Sequence, residues 1–347
     1  MIAGFAIGGK SSIFSALMVV GLVYMAIALI IRFTGNEWIN KLLPPVIVGP
    51  MIMVIGLCLA PTAIQEIGLD QAVIPMNNLI VALVAFLTTA VIAIRGRGML
   101  KVIPFLIGII VSYIVASCLG MVDFSGFFAA HLFEIPDFYI PFVHYNFNPA
   151  ALLTIVPIAL VTMVEHVGDH KVLGEIIVRD LISDPGLNKT LFGDGIATFF
   201  AAFIGGPANT TYGENTSVVG LTRVASIYVI GLTAIFAILF AFSGHLTALL
   251  AAMPNPVIGG VAILLYGFIA VNGVKLLIQE EVNFNNNKNI VVAATMLVLG
   301  LGGATLSVAQ GDLSVSISGM ALAAITGVVL NLIIPERKDD DEYTEIH

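Results

Sequence analysis

The chain has 347 residues, of which 59% are hydrophobic and only 10% are charged. Soluble domains carry about 25% charged residues, so this composition excludes an ordinary soluble domain. Apolar runs of about 20 residues indicate a polytopic helical membrane protein. The net charge of −8 does not predict orientation, because membrane topology follows Lys and Arg rather than net charge.

Eleven apolar segments follow one another along the chain. The seventh, 212–222, is too short to cross a hydrocarbon core of about 30 Å. It opens from the sequence NTTYG, so we predict a half-helix entered from a short extended strand. Irregular backbone at that depth is tolerated only where it faces protein or a wet cavity. The other segments are 12–32, 42–61, 77–94, 100–122, 149–169, 190–206, 225–252, 255–274, 288–303 and 314–334.

The basic residues of this layout fall almost entirely on one side of the predicted membrane. Thirteen of the 14 Lys and Arg residues lie in loops of one side or in the C-terminal tail, and only Lys10 lies on the other side. The positive-inside rule makes the basic side cytoplasmic. We therefore predict a multi-pass protein of the cell membrane with a cytoplasmic C-terminus and an acidic, solvated tail at 336–347.

An internal repeat connects two parts of the chain at a constant offset. PVIVGPMIMVIG begins at Pro45 and PVIGGVAILLYG at Pro256, which is an offset of 256 − 45 = 211 residues. NLIVALV from Asn78 and NIVVAAT from Asn289 keep the same offset. The two copies have opposite predicted orientation, so they form an inverted-topology repeat, which is typical of secondary transporters. Because the second copy begins near Asn148, we expect about sixty residues of the first copy, or three spans, to precede Met1.

Three carboxylates lie close to the apolar spans. Glu165 and Asp169 are four residues apart and share one helix face, and Glu214 opens the half-helix. A charge at such a depth indicates a functional site. For Asp169, capping the end of its helix is nearly as good an interpretation. His166 is a candidate for a proton relay, although a satisfied polar neighbour is the favoured interpretation.

The chemistry of these groups predicts a type of ligand. Ionised carboxylates accept hydrogen bonds, and the N-terminus of a half-helix offers free backbone N–H groups. A small flat ring with alternating N–H and C=O groups, such as a nucleobase, satisfies both. Paired carboxylates raise each other's pKa, so one of them could hold a proton and couple transport to proton flow.

Three motifs give the chain a specific resemblance. EHVGDH at 165–170, RDLISDPGLNKTLFGDGIAT at 179–198 and GGPANTTYGENTSVVGLTRV at 205–224 resemble the nucleobase–ascorbate transporter family, also called nucleobase:cation symporter-2. Glu214 stands where many purine-transporting relatives have Gln, and so resembles the uracil-transporting branch. The resemblance implies proton symport of uracil without a cofactor or metal, and a homodimer formed through gate domains.

The resemblance also implies an architecture of fourteen segments in two inverted repeats, of which this chain holds segments four to fourteen. Glu165 and Glu214 would hydrogen-bond the uracil ring, the backbone at Tyr212 and Gly213 would meet its carbonyls, and Asn215 would lie beside them. Asp169 would be a coupling group. Ser217 departs from the Gly usual in the family. The implied divisions are a first-repeat core remnant at 1–40, gate spans at 41–122, an outer interfacial loop at 123–148, a second-repeat core at 149–253, gate spans at 254–335 and the tail at 336–347.

Other functions remain open at this point. A purine or xanthine permease has the same architecture, and a chain lacking its first spans could be an inactive fragment. An anion transporter would need a neutral or cationic pocket in place of Glu214. An intramembrane enzyme is disfavoured, because the sequence contains no metal set, serine–histidine pairing or phosphate loop, and nothing in it indicates nucleic-acid binding.

Overall fold

A computed structural model of the chain describes residues 2–136, 138–139, 148–310 and 313–335. Within these ranges it describes only the backbone of residues 2–8, Glu214, Ser217, Leu221 and 308–316. Residues 137 and 140–147 of the predicted outer interfacial loop and the whole acidic tail at 336–347 therefore lie outside the described residues.

The described residues are mostly α-helical, and a helix occupies each of the eleven predicted apolar segments. This confirms the all-α class. The helices of the first half are α1 (Ile2–Thr34), α2 (Glu37–Leu42), α3 (Pro45–Cys58), α4 (Ala60–Ile67), α5 (Met76–Arg95), α6 (Met99–Val102), α7 (Pro104–Cys118) and α8 (Ser125–Ala129). Those of the second half are α9 (Pro149–Ile155), α10 (Ile158–Ile177), α11 (Leu187–Phe203), α12 (Gly213–Thr222), α13 (Ile227–Ala241), α14 (Gly244–Ala251), α15 (Asn255–Gln279), α16 (Asn287–Leu301) and α17 (Gly319–Ile333).

Helix length divides the apolar segments into two groups. Among the described residues, five helices are long and apolar enough to cross a membrane, or six if α13 and α14, which bend by 82° at their junction, form one span. The apolar helices α7, α16 and α17 have only 15 residues each, whereas a perpendicular span needs about 20. Helix length alone therefore does not support all ten of the full-length spans that the sequence predicts.

The last predicted span, 314–334, begins differently from the prediction. Its first residues belong to β2 (Leu313–Ile317), which pairs antiparallel with β1 (Leu306–Gln310). In LSVSI, the sequence of β2, Ser alternates with apolar residues at the period of two that a strand needs. The helix begins only at Gly319.

Proline and asparagine residues mark several helix starts. Pro45 and Pro104 begin α3 and α7, where the absent N–H of proline removes no intrahelical bond. The side chain of Asn148 accepts from Ala150 N at 2.9 Å before α9, and that of Asn286 accepts from Lys288 N at 2.8 Å before α16. These caps satisfy N–H groups that the first helical turn leaves unpaired.

The chain divides into two compact units. The first unit comprises residues 1–58, 138–216 and 269–347, and the second comprises 59–137 and 217–268. The boundaries cut α12 and α15, and they follow neither the predicted core divisions nor the predicted gate divisions. The core and gate domains stay a prediction.

Glycines allow the helices of the first unit to pack at close range. A Cβ on Gly21 of α1 would lie 2.7 Å from both Gly195 O and Phe199 N of α11. A Cβ on Gly168 of α10 would lie 2.7 Å from the Val48 side chain of α3. Small residues at such crossings let helices approach closely in membranes.

The second unit is held by similar contacts. Gly260 of α15 packs against Ala85 of α5, and Tyr113 of α7 donates to Leu249 O of α14 over 3.0 Å. Helix α13, which is described along its whole length, contains no buried residue, so all its faces expose apolar side chains.

Helices of the proposed repeat begin at corresponding positions. The starts of α3 and α15 differ by 255 − 45 = 210 residues, and those of α5 and α16 by 287 − 76 = 211. These values agree with the offset of 211 residues in the sequence.

Candidate functional site

The candidate site is built around the first turn of α12, which interrupts the apolar stretch. Residues 206–212 form neither helix nor strand, so α12 is entered from irregular backbone. Tyr212 O accepts from Asn215 N at 3.0 Å and from Thr216 N at 3.4 Å, which closes the first turn. The helix has only ten residues, as expected for a half-helix.

A cavity of about 230 Å³ lies against this turn within the first unit. Carboxylate, imidazole, hydroxyl and amide groups line it, so a polar ligand would find both donors and acceptors. The lining residues are Asp169, His170, Leu173, Thr210, Thr211, Tyr212, Asn215 and Thr216. The structure thus brings three predicted site residues to one cavity, namely Asp169, Tyr212 and Asn215.

Glu165 is connected to this cavity through a threonine. Thr210 Oγ1 donates to Glu165 Oε2 at 3.1 Å, and Thr210 lines the cavity. Glu165 lies one helical turn before Asp169 on α10, which places both carboxylates on the same face. The irregular segment 206–212 therefore crosses the face of α10 that carries the two acids.

Gly213 packs directly beside polar groups of two other helices. A Cβ at this position would lie 3.3 Å from Asp169 Oδ1 and 3.1 Å from Asn272 Nδ2 of α15. Only glycine, which has no side chain, allows these two polar groups to keep their present positions. Asn272 was not predicted, although an amide within the apolar run of α15 was a signal that could have identified it.

Glu214 is the second residue of α12, directly after Gly213. The structure describes its backbone but not its side chain. The predicted contact between this carboxylate and a ligand ring therefore lies outside the described atoms.

His166 belongs to a different cluster from the cavity residues. It is only 2% exposed, and its Nδ1 lies 3.3 Å from Asp194 Oδ2 of α11. That distance is within range of an ion pair, but the direction is not that of a hydrogen bond. Nε2 lies 3.0 Å from Thr190 Oγ1. His166 thus connects α10 to α11.

His170 joins this cluster to the cavity. Its ring stacks on that of His166 at a centroid distance of 4.1 Å, and its Nδ1 lies 2.8 Å from His166 O. Neither His170 nor Asp194 was singled out from the sequence. The available signal for Asp194 was an acid inside an apolar helix, GDGIATFF.

A second polar cavity, of about 280 Å³, lies beyond His170. His170 lines both cavities. Lys171 Nζ lies 3.6 Å from Glu280 Oε1 in the wall of the second one. The Ser183 hydroxyl, at 2.6 Å, lowers the pKa of Asp180 in the adjoining loop, and backbone N–H groups and the charge of Lys171 add to this effect.

No group of three or more His, Cys, Asp or Glu residues with the geometry for a metal ion occurs in the described ranges. Both cysteines are free. The polar groups that line the cavity are carboxylate, imidazole, amide and hydroxyl groups.

A polar cavity beside a broken helix, lined by Asp169 and set among apolar helices, is typical of polytopic membrane transporters. Comparison with known proteins gives the family. The profile of the xanthine/uracil permeases, described as "Permease family", matches residues 3–309. The chain belongs to this permease family.

Individual relatives match over most of the chain. It is 46% identical over 340 residues to the uracil permease of Bacillus caldolyticus, covering 97% of this chain and 78% of the relative. It is 38% identical over 316 residues to the uracil permease of Escherichia coli K12, covering 90% of this chain and 72% of the relative. A putative pyrimidine permease of the same organism, RutG, is 33% identical over 336 residues, covering 94% of this chain and 72% of the relative.

Proposed function

We propose that the protein imports uracil across the cell membrane by proton symport, through alternating access. The observation that carries the proposal is the polar cavity at the start of α12, lined by Asp169 and Asn215 and linked to Glu165 through Thr210. The relatives named uracil permeases, at 38% to 46% identity, support the choice of ligand.

Uracil presents two ring N–H donors and two carbonyl acceptors in one plane. Glu165, oriented by Thr210, accepts from a ring N–H in this proposal, and Glu214 accepts from the other. The backbone at Tyr212 and Gly213, where α12 begins, meets a ring carbonyl in this proposal. Asn215 lies beside them in the cavity wall.

Proton coupling is proposed to involve Asp169, with His166 as a second candidate. Asp169 lines the cavity and also lies against Gly213, so its charge acts on both the ligand and the half-helix. His166 would act from outside the cavity wall, because its ring nitrogens face Asp194 and Thr190 of α11. Protonation of either residue would change the electrostatic field at the cavity.

The proposal also includes the orientation of the chain in the membrane and its assembly into a homodimer. The thirteen basic residues on one predicted side support a cytoplasmic C-terminus in the cell membrane. The second cavity, beyond His170 on the predicted cytoplasmic side, is a candidate for the release route. The homodimer through the gate spans stays a prediction.

Radiolabelled uracil uptake tests the function, in cells without their own permease and at acidic and neutral external pH. We expect uptake that is stronger at acidic pH, abolished by Glu165→Gln and by Glu214→Gln, and retained by Glu37→Gln, an exposed acid at the start of α2. Uptake of equal rate at both pH values would contradict proton symport while leaving uracil transport standing. Uptake of xanthine in preference to uracil would contradict the choice of ligand and favour a purine permease.

A further inference from the structure

A second pocket of the first unit has the opposite charge character to the candidate site. It has a volume of about 190 Å³ and lies between α1 and α11. Its lining residues are Ala28, Leu29, Arg32, Asn188, Lys189 and Phe192. Two cations and an amide therefore face one small space, and no acid is among the lining residues.

The two helices that form the pocket are antiparallel. Their backbones are in close contact where Gly21 meets Gly195. From there the pocket lies toward the C-terminus of α1, at Arg32, and toward the N-terminus of α11, at Lys189. The cations consequently lie at the same end of the helix pair, which the sequence predicts to be the cytoplasmic end of both spans.

Arg32 and Lys189 are both exposed, and neither has an ion pair within the part of the chain that the structure describes. Lys189 also lies in the first turn of the 17-residue helix α11, where the helix dipole favours an anion. Asn188 provides an amide beside it. The pocket is therefore complementary to a compact anion that comes from outside the chain.

An exposed apolar track leads away from the pocket along the same two helices. Phe192, Ile196 and Phe200 are exposed on α11 at intervals of four residues, which places them on one helix face. Leu29 and Leu22 are exposed on α1. From Lys189 to Phe200 the helix rises about 16 Å, which is close to half of a hydrocarbon core of about 30 Å.

We propose that this pocket binds an anionic phospholipid. Arg32, Lys189 and Asn188 hold the phosphate of the headgroup, and an acyl chain follows the track of Phe192, Ile196 and Phe200. A free phosphate or a soluble anion would use the cations but not the track, and a zwitterionic lipid would use the track without matching the net charge. Basic pockets between spans on the cytoplasmic side are typical sites for anionic headgroups.

Lipid titration of the purified full chain in a neutral detergent, followed by native mass spectrometry, tests the site. The probes are dilauroyl phosphatidylglycerol, dilauroyl phosphatidylcholine and inorganic phosphate. We expect saturable binding of phosphatidylglycerol. Because a cation near a membrane surface contributes about 1 kcal/mol to anionic-lipid binding, affinity should fall about fivefold for Arg32→Gln or Lys189→Gln and about thirtyfold for the double variant.

The matched control is the double variant Arg95→Gln/Lys101→Gln. It removes two exposed cations of another loop that is predicted on the same side of the membrane but does not line the pocket, and its affinity should not change. The charge-retaining variant Arg32→Lys/Lys189→Arg should bind within a few-fold of the unchanged protein, and it guards against loss of binding through misfolding.

Three results would overturn the proposal. Phosphatidylcholine could bind as tightly as phosphatidylglycerol, the control variant could lose as much affinity as the pocket variant, or inorganic phosphate alone could occupy the site as tightly as the lipid. The last result would leave a site for a free anion in place of a lipid.

Discussion

Thr210 donates its hydroxyl to Glu165 Oε2 over 3.1 Å, although the two residues are 45 positions apart in the chain. This contact joins the irregular segment before α12 to the face of α10 that carries the two predicted site acids. It orients the carboxylate from the side of the cavity, because Thr210 itself lines that cavity. A ligand that binds to Glu165 therefore meets a side chain whose position is already restricted.

We predict that Thr210→Val weakens uracil binding. Hydrogen bonds to charged groups contribute about 1.5–3 kcal/mol, so the dissociation constant should rise roughly tenfold to a hundredfold. Equilibrium binding of labelled uracil to the purified protein measures this. The matched control is Thr222→Val, because the Thr222 hydroxyl donates only within α12, to Val218 O. An unchanged affinity in Thr210→Val would mean that the contact does not orient the acid for binding.

Gly213→Ala should reduce uracil binding and leave the fold intact. The added methyl would lie 3.1 Å from Asn272 Nδ2 and 3.3 Å from Asp169 Oδ1, closer than the 3.5–4.0 Å typical of unstrained carbon contacts. Overpacking of this kind costs about 1–3 kcal/mol, and here the groups displaced are those of the site. Uracil binding and the apparent melting temperature, measured together, separate the two effects.

Gly193→Ala is the control for that substitution. Gly193 lies in α11, and no heavy atom lies within 4 Å of a Cβ built there, so binding should be unchanged. Alanine is the better helix former by about 1 kcal/mol, and stability should rise slightly. If Gly213→Ala bound uracil as well as the unchanged protein does, close packing at the start of α12 would have no part in recognition.

The His166–Asp194 pair should show thermodynamic coupling. Breaking a buried pair by removing one partner costs about 3–5 kcal/mol, whereas replacing both partners with apolar residues is often close to neutral. We expect each single variant, His166→Leu and Asp194→Leu, to lower the apparent melting temperature in detergent more than the double variant His166→Leu/Asp194→Leu does. Strictly additive effects of the two single changes would show that the 3.3 Å contact contributes no coupling energy.

Gly21→Ala should destabilise the first unit. A Cβ there would lie 2.7 Å from backbone atoms of Gly195 and Phe199, and backbone cannot move aside as a flexible side chain does. Separating α1 from α11 should cost about 1–3 kcal/mol, read as a lower apparent melting temperature. Gly231→Ala on α13, with no heavy atom within 4 Å, should have no such effect. Equal behaviour of the two variants would exclude close glycine packing between α1 and α11 as a source of stability.

The sequence by itself determined the all-α membrane class, the positions of the eleven apolar segments and the half-helix at Gly213, and the comparisons with known proteins then confirmed the family. These features follow from local composition, since a run of apolar residues forms a helix in lipid wherever it occurs. The constant offset of 211 residues was likewise readable from the chain alone. The sequence predicts the start of the last span wrongly, because the residues at 313–317 form a β-strand and do not extend the apolar helix that follows them.

Only the tertiary structure decided which polar groups meet. It turned His166 toward Asp194, brought Asn272 against Gly213 and left Asp169 between the cavity and the half-helix. It also placed Arg32 beside Lys189, 157 positions later in the chain (189 − 32), in a pocket that the sequence alone did not predict. Such contacts depend on how helices that are distant in sequence pack against one another. Glycines such as Gly21 and Gly195 set the distance between these helices, and that distance cannot be read from the order of the residues alone.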